Sequence, residues 1–256
     1  MGGWTSHFLI KRVTVLKIKW FAILIYGFIT LITPVHSFAS IVINGTRVIY
    51  SGGEKEATVK LSNMGKSPIL VQSWIDDGDM NAAPNKIAVP FILTPPMNRI
   101  DADKSQTLRL RYTALPALPE DRESVYWLNV LEIPPLRETD SPNRLQIAFR
   151  TRIKLFYRPN GINNASVISE AGENIRWTIN NGKLQAENTS PYYISLVSVL
   201  LGNLGDKGAI EGKMIEPMSV KLFENNIPTN VKRGSKVTYE YINDWGAVNK
   251  AETEVR

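Results

Sequence analysis

The longest run of alternating apolar and polar residues lies at 145–157, and it constrains the fold more than any other feature. One face is mainly apolar and the other carries the charges: Leu145, Ile147, Phe149, Thr151, Ile153, Leu155 and Tyr157 lie on the first, and Gln146, Ala148, Arg150, Arg152, Lys154, Phe156 and Arg158 on the second. Successive side chains of a strand point to opposite sides of a sheet, so the pattern predicts a β-strand. A strand over 145–157, at about 3.3 Å per residue, would be roughly 43 Å long, whereas an ordinary strand is roughly 17–20 Å long.

A strand of that length should project beyond the core of a single domain. An exposed apolar strand edge promotes aggregation unless another chain pairs with it. The residues alone leave a second interpretation open, a long core strand with a bend in it.

Short strand-like segments separated by turn residues precede this run. They lie at 41–50, 56–63, 68–77, 89–96, 106–113 and 124–133, with a polar loop at 136–144. Strands at this spacing, with no sustained helical periodicity, predict an antiparallel sandwich of immunoglobulin type. Because the chain has no cysteine, the match is to the architecture alone.

A second, smaller β domain is expected beyond the hinge-like sequence Arg-Pro-Asn-Gly at 158–161. Residues 174–190 predict a hairpin that turns at Asn180–Gly182, and 192–202 and 236–244 predict further strands. The polar tail after Trp245 fits either an edge strand or a loose end. We therefore expect an all-β fold of two immunoglobulin-like domains, at 40–158 and 159–256.

The first 39 residues read as a signal peptide. Basic residues precede a thirteen-residue apolar run at 20–32, and Ser37 and Ala39 place small side chains at −3 and −1 before Ser40. The run is shorter than the roughly 20 residues that span a bilayer. The alternative is an uncleaved membrane anchor. Cleavage after Ala39 would place the mature protein outside the cytoplasm.

Composition excludes most enzyme classes. Both histidines, His7 and His36, lie in the leader, so the mature chain would lack both His and Cys. That excludes catalytic triads, Cys–His dyads and the usual zinc or copper sites. No nucleotide-binding glycine motif is present, and we expect no cofactor and no metal. The acidic run Asp76-Asp77-Gly78-Asp79 lacks the EF-hand loop pattern and is interpreted as a turn.

Net charge argues against nucleic acid as a partner. The formal charge is +6, but four of the 30 Lys and Arg residues lie in the first 39 residues, which hold no Asp or Glu. The mature chain then has 26 basic and 24 acidic residues. A nucleic-acid binder usually shows a strong basic footprint.

Several motifs together resemble the periplasmic chaperones of pilus assembly, the PapD-like family. The matching segments run in the family's order through most of the mature chain: TRVIY (46–50), TPP (94–96), LPEDRESVYWLNVLEIPP (118–135), LQIAFRTRIKLFYRP (145–159), SPYYISL (190–196) and YINDWG (241–246). The resemblance implies two immunoglobulin-like domains set as a boomerang around a cleft. It also implies binding of newly exported pilus subunits, which lack a final strand that the chaperone lends.

The resemblance implies three sets of residues with separate roles. The donor side chains correspond to Leu145, Ile147 and Phe149, the cations that grip the subunit's C-terminal carboxylate to Arg47 and Lys154, and the ionic cluster that fixes the domains to Glu123, Arg158 and Asp244. An outer-membrane usher would then accept the complex. Which subunits and usher are served, and whether the free protein caps its edge as a dimer, stay open.

The chain departs from the family pattern in two places. Ser51 replaces the proline that often follows the first strand's aromatic residue, and the disulfide of some second domains is absent. The short loop at 136–144 resembles the subfamily that serves rod-like pili. Two other classes remain as alternatives: a secreted two-domain adhesin or binding module without a chaperone role, and an exported hydrolase that uses carboxylates.

Overall fold

The computed structural model describes residues 41–135, 146–202, 209–223, 227 and 231–256. The predicted signal peptide, donor residue Leu145 and the loop at 136–144 lie outside the described residues. Within them, the chain forms two immunoglobulin-like sandwiches, each with its own hydrophobic core. No helix among the described residues is long and apolar enough to cross a membrane.

The first sandwich packs two sheets face to face. Its strands are β1 (Ile41–Ile43), β2 (Arg47–Ser51), β3 (Ala57–Asn63), β4 (Ile69–Asp76), β5 (Phe91–Thr94), β6 (Met97–Ile100), β7 (Ser105–Tyr112), β8 (Ser124–Ile133) and β9 (Phe149–Arg158), with a 3₁₀ turn at Pro84–Lys86. One sheet has the order β1-β3-β7-β5 and the other β2-β9-β8-β4-β6. Alternate residues face inward, so the core holds Leu61, Val71, Leu108, Leu110, Leu128, Val130 and Leu155, all inaccessible to solvent.

The segment predicted as one strand at 41–50 is two strands in different sheets. Strand β1 pairs with β3, whereas β2 pairs in parallel with β9. Gly45 lies between them with φ 125°, and its amide donates to Ile43 O at 2.9 Å. That backbone conformation is open to glycine and disfavoured for other residues. The turn lets the chain cross between sheets, which places β2 beside β9.

Strand β9 is shorter than predicted. It begins at Phe149, where its pairing with β8 begins opposite Glu132. In that register Ile133, the last residue of β8, would face Ala148, and the prolines at 134 and 135, which carry no amide N–H, would face residues 147 and 146. The prediction of a strand from residue 145 is therefore wrong for the described residues 146–148, because alternation reports side-chain faces and does not report where a pairing partner ends.

The second sandwich follows a 3₁₀ turn at Asn160–Ile162 and the short helix α1 (Ala165–Ala171). Its strands are β10 (Arg176–Asn180), β11 (Lys183–Asn188), β12 (Ile194–Leu201), β13 (Ala209–Glu211), β14 (Met214–Ile215), β15 (Ser219–Phe223), β16 (Lys236–Ile242) and β17 (Val248–Glu254). One sheet has the order β10-β11-β15, and the other β13-β12-β16-β17 with β14 beside β12. Trp177, Phe223 and Tyr239 anchor the core.

The predicted hairpin is confirmed. Strands β10 and β11 pair from Arg176↔Glu187 to Asn180↔Lys183, and Asn181 and Gly182 both take positive φ, 49° and 72°. Two successive positive φ values are the mark of a type I′ turn, which suits Asn-Gly. The polar tail forms edge strand β17, which pairs with β16. Helix α1 was not predicted, since seven residues are too few to show a periodicity.

Replacing Leu155 by alanine tests the packing of β9 against the first core. Leu155 is fully buried, so Leu155→Ala should destabilise the first domain by about 2–5 kcal/mol. Val220→Ala, at a side chain 58% exposed in the second domain, is the control and should unfold like the wild type. The measurement is denaturant unfolding followed by Trp fluorescence. Equal midpoints for the two variants would contradict this packing.

Candidate functional site

Two cations lie side by side where β2 begins. Arg47, the first residue of β2, stands opposite Lys154 in the parallel pairing with β9. Arg47 Nη1 donates to Ile242 O at 3.1 Å, and its guanidinium lies over the Phe156 ring at 5.6 Å. Lys154 Nζ lies 3.1 Å from Ser195 Oγ. Ile242 and Ser195 belong to the second domain, so the pair lies where the domains meet.

Both cations are partly buried, and neither has a carboxylate partner among the described residues to balance its charge. Desolvation lowers the pKa of Arg47, against the more distant charges of Asp244 and Glu123. Desolvation, followed by repulsion from Arg47, lowers the pKa of Lys154. Within the described part of the chain neither cation forms an ion pair, and the buried Arg47 Nε has no hydrogen-bond partner. Such a pair of cations can bind an anion.

An ionic cluster joins the two domains beside this pair. Arg158 Nε donates to Glu123 Oε1 at 2.8 Å, and Nη1 and Nη2 donate to the Asp244 carboxylate at 2.7 and 3.1 Å. Glu123 also accepts from Tyr193 N at 2.8 Å, and the Arg158 guanidinium lies 5.3 Å from the centre of the Tyr192 ring. The structure thus brings Glu123, Arg158 and Asp244 into direct contact.

The cluster is buried, which makes its electrostatics strong. The Arg158 and Glu123 side chains are 5% and 2% exposed, and Asp244 is 27% exposed. Burial opposes the charge of Arg158, yet hydrogen bonds to Asp244 and the charges of both carboxylates raise its pKa. Burial raises the pKa of Glu123 against the attraction of Arg158. A buried charge is tolerated only with such partners, so removing one leaves the others destabilised.

The start of β9 presents an unpaired edge. Strand β2 pairs with β9 only at 154–158, while β8 covers the other edge from Phe149 onward. No described strand pairs with residues 149–153 on the edge that β2 leaves open. Phe149 lies on the same face as the buried Leu155 but is 64% exposed, and Ile147 before it is 54% exposed. Of the predicted donor residues, Leu145 lies outside the described part.

The opposite face of β9 carries a contact that sequence reasoning missed. Arg152 donates to both carboxylate oxygens of Asp76, with Nε 3.1 Å from Oδ2, and its guanidinium lies 4.6 Å from the Trp127 ring. Asn129 Nδ2 also donates to Asp76 Oδ2 at 2.6 Å. Despite desolvation, hydrogen bonds from Arg152, Asn129 and the Gly78 amide lower the pKa of Asp76. Asp76 therefore serves the packing of this sheet.

The acidic run at 76–79 behaves as a turn. Gly78 N donates to Asp76 Oδ1 at 2.8 Å, and Asn81 N donates to Asp79 Oδ1 at 2.9 Å. Among the described residues no group of three acidic, His or Cys side chains could hold a metal ion.

A cavity of about 420 Å³ opens beside Arg47. We call it the Trp245 pocket, after the aromatic side chain at its rim, which is 87% exposed. Its wall includes residues of both domains: Arg47, Phe156, Ile168, Tyr241 and Trp245. Sequence reasoning did not find it. The YINDWG segment was its only signal, and an exposed Trp cannot be told from a buried one by sequence.

Comparison with known proteins identifies relatives over most of the described residues. The family model "Pili and flagellar-assembly chaperone, PapD N-terminal domain" matches residues 40–163, and "Pili assembly chaperone PapD, C-terminal domain" matches 170–253. The probable fimbrial chaperone YadV of Escherichia coli K12 is 46% identical over 215 residues, which cover 82% of this chain and 87% of the relative. The chaperone protein FimB/FhaD of Bordetella pertussis is 41% identical over 221 residues, covering 85% and 88%.

Solved structures of chaperones are similar in fold to this chain over most of its length. The crystal structure of the YadV chaperone has a TM-score of 0.70 at 42% identity and covers 85% of this chain and 100% of that chain. A complex of the Salmonella enterica SafA pilin with the SafB chaperone gives 0.69 at 28% identity, covering 86% and 98%.

Replacing Arg158 by alanine tests the ionic cluster. The change leaves Glu123 and Asp244 without their cation, so we expect a loss of about 3–5 kcal/mol, together with altered small-angle X-ray scattering as the domains lose their fixed orientation. The matched control is Arg99→Ala, since Arg99 and Asp101 form an ion pair whose side chains are 68% and 65% exposed. Wild-type stability and scattering in Arg158→Ala would contradict the role of the cluster.

Proposed function

Because the chain belongs to the family of PapD-like pilus assembly chaperones, we propose that it binds pilus subunits by donor-strand complementation. The observation that carries the proposal is the unpaired edge of β9 at 149–153, which ends at Arg47 and Lys154. The family is one of chaperones and not of enzymes. The Salmonella enterica relative is described in a complex with a pilin, which supports a subunit as the partner.

The unpaired edge offers what strand addition needs. Backbone N–H and C=O groups along it can pair with a subunit strand, and alternate side chains can fill pockets of an incomplete sandwich. Phe149 lies on the core-facing side of β9 but beyond the chaperone's own core, Ile147 precedes the strand, and both are exposed. We propose that these side chains, with Leu145, complete the core of the subunit.

The cation pair marks the end of the subunit strand. Strand β2 occupies the β9 edge from residue 154 onward, so a subunit strand that pairs at 149–153 must stop at Arg47. We propose that its terminal carboxylate binds Arg47 and Lys154 there. Charge-assisted hydrogen bonds of this kind contribute about 1.5–3 kcal/mol each. A fixed end also sets the register, since a slip by one residue would turn every side chain to the wrong face.

The ionic cluster would support this site by orientation. Arg47 is tied to Ile242 O and Lys154 to Ser195, both in the second domain. The geometry of the cations therefore depends on how the domains are held. We propose that Glu123, Arg158 and Asp244 hold them.

The cellular setting belongs to the same proposal. We propose that residues 1–39 are a signal peptide, that 40–158 and 159–256 act as the two domains in the periplasm, and that an outer-membrane usher receives the subunit complex. Capping of the free edge by a second copy of this chain remains a prediction.

Changing Ile147 to Asp tests the donated side chains. The charge would have to enter an apolar groove of the subunit, so subunit capture should be lost, while the chaperone stays folded because Ile147 is 54% exposed. The measurement is recovery of a co-expressed subunit by periplasmic pull-down. Val220→Asp is the matched control, at a side chain 58% exposed in the second domain. Normal subunit recovery with Ile147→Asp would show that this side chain is not donated.

Changing Lys154 to Ala tests the carboxylate anchor. We expect subunit affinity to fall by roughly tenfold or more, with an unchanged circular dichroism spectrum. Lys250→Ala, on edge strand β17, is the control for loss of a positive charge. A second arm uses a subunit extended by one residue at its C-terminus, which should bind the wild type in a shifted register or not at all. Unaltered affinity of Lys154→Ala would refute the anchor.

A further inference from the structure

The Trp245 pocket begins where the proposed subunit strand ends. Arg47 forms part of its wall, and its guanidinium lies over Phe156, which also lines the pocket. The second domain contributes the apolar and aromatic side chains of Ile168 in α1, Tyr241 in β16 and Trp245. Polar and charged groups share the wall: Asn163, Ser169, Asn243, Asn249 and the ionic cluster of Glu123, Arg158 and Asp244, whose charges are already paired. A ligand there would meet Arg47 and, beside it, aromatic and aliphatic side chains.

The backbone of Trp245 lies in a hydrogen-bonded turn. The turn between β16 and β17 is closed by Asn243, whose N–H donates to Ala247 O at 2.9 Å and whose C=O and Oδ1 accept from Gly246 N and Ala247 N at 3.0 and 2.9 Å. Gly246 has φ 82°, and a Cβ there would clash with Thr46 Oγ1. The turn thus packs against the residue that precedes Arg47, which places the backbone of Trp245 close to the start of β2.

An aromatic side chain that is 87% exposed is typical of a contact surface. Aromatic side chains dominate interface energetics because they bury a large area and lose few rotamers. Trp245 cannot contribute in this way to the free protein. It could do so only when a ligand enters the pocket and covers its ring.

We propose that the Trp245 pocket receives the side chain of the subunit's last residue, and that it selects subunits whose last side chain is apolar or aromatic. The inference rests on the proposed function, because that function places the terminal carboxylate on Arg47 and Lys154. The pocket shares Arg47 with that anchor, so the last side chain of a strand that ends at Arg47 lies next to the pocket and to its aromatic and aliphatic residues.

The test uses synthetic peptides that differ only at the last residue. An acetylated strand peptide of alternating valine and threonine is made with a C-terminal phenylalanine or glycine, each with a free carboxylate or an amide. Affinity is measured by calorimetry. Binding at the pocket is followed by the indole N–H signal of Trp245 in ¹⁵N–¹H spectra, assigned through Trp245→Phe.

We expect the wild type to bind the phenylalanine peptide roughly tenfold more tightly than the glycine peptide, with a shift of the Trp245 signal. Trp245→Ala should lose this preference and keep its affinity for the glycine peptide, while Trp245→Phe should retain most of the preference. Val220→Ala is the control for loss of an exposed apolar side chain and should behave as the wild type.

Three results would overturn the inference. The first result is that the wild type binds the phenylalanine and glycine peptides with free carboxylates equally tightly. The second is that Trp245→Ala weakens the binding of these two peptides equally. Either result would show that the pocket does not select the last side chain, and would leave the carboxylate anchor intact. The third result is that acetylphenylalanine shifts the Trp245 signal and binds as tightly as the phenylalanine peptide. The pocket would then be a site for free amphipathic acids. If amidation changes neither affinity, the carboxylate anchor of the proposed function fails as well.

Discussion

The start of β2 at Arg47, which leaves the preceding part of the β9 edge uncovered, is the constraint on which the rest of the structure depends. Strand β9 continues for five residues beyond the last position that β2 covers, from 153 back to 149, and no described strand takes the open edge. Unpaired strand edges invite association with other chains. Here the edge is short, is flanked by arginines on one face, and stops at two cations. Those features favour one kind of partner over unspecific pairing.

The cations at and beside β9 fall into two groups, those paired with a carboxylate of the described residues and those that are not. Its outer face carries Arg150, Arg152, Lys154 and Arg158, which would repel one another without partners. Arg152 is paired with Asp76, and Arg158 with Glu123 and Asp244. Lys154 and the neighbouring Arg47 have no carboxylate among the described residues, although desolvation lowers the pKa of both. A partner's carboxylate would supply the missing charge, so binding would relieve a cost already present in the free protein.

The sequence predicts the two sandwiches well because their signals are local. Alternation identifies β3, β7 and β16, the Asn-Gly turn identifies the β10–β11 hairpin, and Pro159 and Gly161 mark where β9 ends and a 3₁₀ turn begins. The failures concern non-local pairing. The switch of β1 and β2 between sheets depends on Gly45, and the start of β9 depends on where β8 ends. The Asp76–Arg152 contact and the Trp245 pocket join residues far apart in the chain, which no periodicity reveals.

Amide hydrogen exchange across residues 149–158 tests the central claim most directly, in the free monomer and in a complex purified from cells that co-express a subunit. The edge-facing amides at 149–153 should exchange fast in the free protein and become protected in the complex, while those at 154–158, covered by β2, stay protected in both. Protection of 149–153 in the free monomer, or exchange there that the subunit does not slow, would contradict the account.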